Sequence, residues 1–284
     1  MDPDSSVSVA ESFRNFGKAR MSAFWQEVWG FLTGRSIDLL RFEEVKSRLR
    51  LRDERYIGLQ EIDLDKIVGS VGRYKDFTRS FLPRTNAIRS RWQRLDAMAR
   101  GPSGFPPIDV YKVGSVFFVI DGNHRVSVAR QLGANTIEAY VTELPTAVPI
   151  DANTQPDDLL IKEGYADFLR KTNLDTLRPG SSVQLTEPAR YRELLEHIDV
   201  HRYFMGVEKK RPATYDEAVA SWYDTVYMPL IQLIRKYEVL DYFPGRTEAD
   251  LYAWLIKHQE ALRLNLGGDW LTPEETVEDF LAKL

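Results

Sequence analysis

The sequence predicts an α+β fold: a small mixed sheet with helices, preceded by a helical segment and followed by a helical domain. Three observations carry that expectation. Residues 107–120 read as two strands joined by a tight turn. The first and last portions carry apolar residues at helical spacing. No strand–helix–strand unit recurs, so a repeated parallel array is not expected.

The elements follow in order. The first ten residues are polar, and a disordered start is expected. From Glu11 to about Leu51 the spacing is helical. Phe24, Val28, Phe31 and Leu32 form one run, and Leu39, Leu40, Val45 and Leu49 a second. Gly30 and Gly34 separate them, and Ser36 is suited to cap the second. Ile57 to Ile62 alternates as a short strand, and Gly69 to Arg73 reads as a flexible loop. Ile88 to Met98 is a predicted helix with Ile88, Trp92 and Leu95 inward and Arg89, Arg91 and Arg94 around them.

Pro107 to Val113 is then a strand, Gly114-Ser115 a turn, and Val116 to Ile120 an apolar run long enough only for a buried strand. Asp121-Gly122-Asn123 interrupts it, Arg125 to Leu132 is a short helix, and Thr136 to Val141 returns as a strand. Beyond the Pro-rich stretch 145–156, helices are predicted at Asp157–Lys171, Pro188–His201, Tyr215–Leu240 and Thr247–Leu266. Pro229 should kink or split the third. Thr247 and Asp250 have the spacing of a capping box. The expected organisation is a helical segment 1–54, a core domain 55–145 and a helical domain 157–284.

Composition narrows the functional classes. Without cysteine there is no disulfide, thiolate nucleophile or Cys-ligated metal. No apolar stretch reaches the roughly 18 residues of a membrane span, and the N-terminus lacks the basic-then-apolar order of a secretory signal. A cytoplasmic protein with no membrane partner is the expectation. Residues 1–134 carry 22 Lys/Arg against 16 Asp/Glu, and the rest 16 against 26. The basic front half suits a phosphate-bearing partner, or merely solvates helix faces.

Chemistry concentrates at Asp121-Gly122-Asn123-His124-Arg125. A buried strand ending in a Gly turn and a helix start presents free N–H groups and a partial positive charge, which suit phosphate. Gly122 permits close backbone approach. Arg125 offers planar bidentate donors, and His124 a further hydrogen bond and, when protonated, charge. Asp121 is placed to orient them or to approach magnesium. Ser127 is a further phosphate contact or a neutral helix-surface serine, and Ser70 and Arg73 are candidates from the upstream loop. Each feature also has a structural reading, in which Gly122 only makes the turn and Arg125 only pairs with Asp121.

The order Pro107-Ile108-Asp109-Val110, apolar strand, then Gly-x-His-Arg resembles the ParB/sulfiredoxin superfamily over residues 55–145. The resemblance implies a nucleotide-binding protein of regulatory or DNA-associated type, with ATP or CTP as ligand, magnesium as companion, and a homodimer or another protein as partner. Asn123 stands where sulfiredoxin has its redox cysteine, which removes that chemistry. The Asp-Gly-Asn-His-Arg run is also similar to the box of free serine kinases. That implies an alternative, nucleotide-dependent phosphorylation of a small molecule with Asp121 catalytic. His197 and His201 have a metal-ligand spacing but no evident third ligand. Trp92 among arginines suits either base stacking or a core position.

Overall fold

The computed structural model describes residues 3–33, 36–101, 104–265 and 272–282. Gly34 and Leu266, invoked above as helix boundaries, lie outside them. The chain divides into two compact units, Met1–Leu159 and Leu160–Leu284.

The first unit is built on a six-stranded mixed sheet in the order β1-β3-β5-β4-β6-β2. The β4 strand (Ile108–Val113) and β5 (Val116–Asp121) form the expected antiparallel hairpin. Val116 to Val119 are all buried, because β5 is interior to the sheet and covered on both faces. Parallel to β5 runs β3 (Ile67–Ser70), and β1 (Leu40–Arg41) is parallel to β3. On the other side β6 (Thr136–Leu144) lies parallel to β4, and β2 (Arg55–Asp63) is antiparallel to β6.

Two expectations fail here for one reason. Leu39 and Leu40 do not continue a helix, and Gly69-Ser70 is not loop. Parallel pairing of Leu40 with Gly69 and of Arg41 with Ser70 draws both segments into the sheet. A Cβ at Gly69 would collide with the Leu40 carbonyl and the Phe118 ring, so glycine is what lets the strands approach. The helix after β1 is therefore short, α2 (Phe42–Arg48), and begins at Arg41 without a side-chain cap. Ser36 instead accepts a hydrogen bond from the Asp38 N–H, at 3.2 Å.

The helix α1 spans Pro3–Thr33 and takes in most of the polar start. Its inner face, Phe16, Ala19 and Ala23, is buried, and Phe16 meets Trp92 edge-on at 5.6 Å. Trp92 belongs to α3 (Arg89–Ala99), and its indole N–H donates to Ser127 Oγ at 2.9 Å. Ser127 lies on α4 (Asn123–Gln131). Trp92 is thus a core residue and not a stacking platform, since α1, α3 and α4 bury it completely.

The second unit is helical. It takes in most of α5 (Asp158–Thr172), then α6 (Leu174–Leu177), α7 (Tyr191–Glu208) and α8 (Tyr215–Trp222). After them come α9 (Met228–Lys236), α10 (Glu248–Asn265) and α11 (Pro273–Leu281). Ahead of Pro229 the chain makes a π turn, Tyr223–Tyr227, so the predicted split is realised where proline cannot join the ladder. Thr247 and Asp250 hydrogen-bond reciprocally at 3.0 and 3.2 Å, as a capping box should. Trp222 donates to the buried Tyr252 hydroxyl at 3.0 Å in this unit's core. Among the described residues no helix is long and apolar enough to cross a membrane.

Candidate functional site

A cavity of about 540 Å³ opens where β5 ends and α4 begins. Three pieces of chain enclose it: Ile120 to Arg125, Gly72-Arg73 just after β3, and one face of α3. The α3 face is the stripe Arg91, Arg94, Leu95 and Met98, spaced i, i+3, i+4 and i+7.

The helix start has the geometry that the sequence implies. Gly122 has φ +115°, and Val126 N–H donating to the Gly122 carbonyl at 3.0 Å is the first bond of the α4 ladder. The N–H groups of Asn123, His124 and Arg125 lie ahead of that ladder, and no side chain caps them. Gly122 is required by packing as well, since a Cβ there would sit 2.8 Å from Ile108 Cβ.

Asn123 and His124 are buried, at 6 % and 4 % exposure, yet Asn123 Oδ1 and both His124 ring nitrogens have no hydrogen-bond partner among the described residues. Buried polar atoms left in this state normally carry a cost of roughly 1–3 kcal/mol each. The His124 ring stands edge-on to Phe77 at 5.3 Å. Burial lowers its pKa to about 4, with Arg91 and Arg73 pushing the same way. His124 is therefore neutral at physiological pH and brings two unused ring nitrogens to the cavity, not the positive charge that the sequence suggested.

Arg125 is also placed differently from the expectation. Its side chain is only 12 % exposed and its guanidinium is spent on the protein itself. It donates to the Pro106 carbonyl at 2.9 Å, to the Pro107 carbonyl, and to the Asp121 carboxylate. Arg125 fastens the turn to the chain entering β4. Asp121 is 63 % exposed and is, among the described residues, the one carboxylate lining the cavity.

Two further cations at the cavity lie on α3. Arg91 and Arg94 line the cavity, are exposed, and make no ion pair with the described residues. Sequence reading assigned them to a solvated face; the available signal was their helical register with Leu95 and Met98. Arg73 joins them from the loop, held in a left-handed conformation at φ +54° and paired with Asp76 at 3.2 Å. Ser70 sits just behind, buried, its hydroxyl directed at the Gly72 and Val119 carbonyls. Ser127 is buried beneath α4 and does not line the cavity.

Elsewhere, His201 Nε2 lies 2.9 Å from Ser221 Oγ, and burial lowers the pKa of His197. Among the described residues no group of three His, Asp or Glu side chains is placed to hold a metal.

No family model matches the chain, and no curated protein matches it. Among solved structures it is similar to sulfiredoxin from Arabidopsis thaliana, 22% identical, over 31% of this chain and 86% of that one, with a TM-score of 0.21. It is also similar to a Pnob8-like ParB-N domain, 12% identical, over 78% of this chain and 88% of that one, with a TM-score of 0.23. At such scores none of their chemistry transfers to this chain.

Proposed function

We propose that the cavity binds the phosphates of a nucleoside triphosphate and that the protein uses this binding for regulation. One observation carries the reading: an uncapped helix start shares a cavity with Arg91 and Arg94, which make no ion pair with the described residues, and with one carboxylate among those residues. Backbone N–H groups and guanidinium groups are what phosphate oxygens need, and the helix dipole adds to both. The volume lies in the ordinary range for small-molecule sites, ~300–1,000 Å³. Leu95, Met98 and Ile120 give the cavity an apolar side for a base.

Magnesium fits such a ligand. It is held mainly by phosphate oxygens and water, with one protein carboxylate as a sufficient anchor, and Asp121 is the carboxylate present. The tie between Asp121 and Arg125 favours binding over phosphoryl transfer, because a carboxylate engaged by a guanidinium is not free to turn to a substrate hydroxyl. The basic front half is compatible with DNA association, for which steep salt dependence is the signature.

The test is a thermal-shift panel of ATP, ADP, CTP and GTP with magnesium. Ligand at a hundredfold excess over its dissociation constant should stabilise the wild type by about 2.7 kcal/mol. Arg91→Ala and Arg94→Ala, both at exposed positions, should leave the unliganded melting temperature nearly unchanged and abolish most of the shift. No shift with any of the four nucleotides, or an undiminished shift in both variants, would remove the proposal.

A further inference from the structure

The helix α1 carries a second apolar face that its own unit does not use. The face against α3 consists of Ser12, Phe16, Ala19 and Ala23. On the opposite side Met21, Phe24, Trp25 and Leu32 are between 52 % and 69 % exposed, with half-buried Val28 among them. Met21, Trp25, Val28 and Leu32 are spaced 4, 3 and 4 residues apart, the d-a-d-a register of a helix–helix seam. The inward residues fall at the remaining heptad positions, so both faces coexist without conflict.

The size of the face argues for a macromolecular occupant. A fully exposed aromatic side chain presents roughly 150–250 Å², so these residues leave on the order of 500 Å² of apolar surface on one helix. That matches the largest patches of ordinary monomers and approaches the ~800 Å² that each partner gives to a stable interface. The same seam continues N-terminally through Lys18 and Arg14. A parallel pair would set these cations against their own copies. An antiparallel pair sets Met21 opposite Leu32 and Trp25 opposite Val28, and carries the cations outward.

We infer that the outward seam of α1 pairs antiparallel with the same seam of a second copy of this chain. Such a contact is isologous and closes as a twofold dimer. It makes no use of the cavity, so the two proposals stand or fall separately.

Sedimentation equilibrium of the full chain, from about 1 to 100 µM, tests it. The wild type should be a dimer. Trp25→Glu and, separately, Leu32→Glu should raise the dimer dissociation constant at least about thirtyfold while circular dichroism and melting of the monomer stay unchanged. Because the chain has no cysteine, mixing Met21→Cys with Leu32→Cys chains under oxidation should give the mixed disulfide. A wild type that stays monomeric across the range would overturn the inference, as would glutamate variants that remain dimeric. So would a monomer that sediments with anionic phospholipid vesicles through this helix. Met21→Cys chains that cross-link only to each other would overturn the antiparallel arrangement.

Discussion

Gly122 is constrained twice. Its φ of +115° disfavours any L side chain, and Ile108 occupies the space that a Cβ would take. The left-handed conformation costs roughly 1–2 kcal/mol for alanine, and crowding against a packed β4 adds about 1–3 kcal/mol. Gly122→Ala is therefore expected to lose about 2–5 kcal/mol in urea unfolding. A loss under about 1 kcal/mol would mean that the turn is not held as described. His124 supplies a second prediction at this scale. Its native pKa is lowered to about 4 by burial and by the nearby arginines. The unfolded chain takes up its proton near 6.5, before the native state does. Stability from this group is complete above pH 6.5 and is lost as pH falls toward 4. Unfolding at pH 7 and at pH 4.5 should show an acid loss on the order of 2–3 kcal/mol that His124→Asn removes. Equal pH dependence in both proteins would contradict it. A bound phosphate would oppose the two arginines and raise this pKa, so nucleotide affinity should improve slightly as pH falls below neutral.

At the scale of elements, the parts that could be read in the sequence are those whose cause is local. Val116 to Ile120 is apolar at every position and bounded by turn residues, so β5 and the helix start after it were readable. The Thr247–Asp250 box and the break before Pro229 were readable for the same reason. What stayed hidden depends on partners distant in sequence. Leu40 becomes a strand because Gly69 is there to pair with it. Arg125 turns inward because the carbonyls of Pro106 and Pro107, 18 and 19 residues earlier, receive it. Arg91 and Arg94 look like any solvated arginines until α3 is laid across the mouth of the α4 helix. The candidate site was thus found at its backbone and missed at its cations. One local signal was passed over: Thr272-Pro273-Glu274-Glu275 is a capping box, and it starts α11.

At the scale of the whole molecule, the chain forms two separately packed units. The first unit contains the cavity in full, and the second has its own core around Trp222, Tyr227 and Tyr252. Nucleotide binding, as proposed, is then a property of the first unit, with the outward seam of α1 as its means of self-association. Backbone amide NMR during a titration with magnesium nucleotides examines the phosphate cradle most directly. The largest shifts should fall on the amides of Asn123, His124 and Arg125 and on the side-chain signals of Arg91 and Arg94. Saturating binding whose shifts spare those groups, or amides of this turn that stay still at every nucleotide concentration, would contradict it.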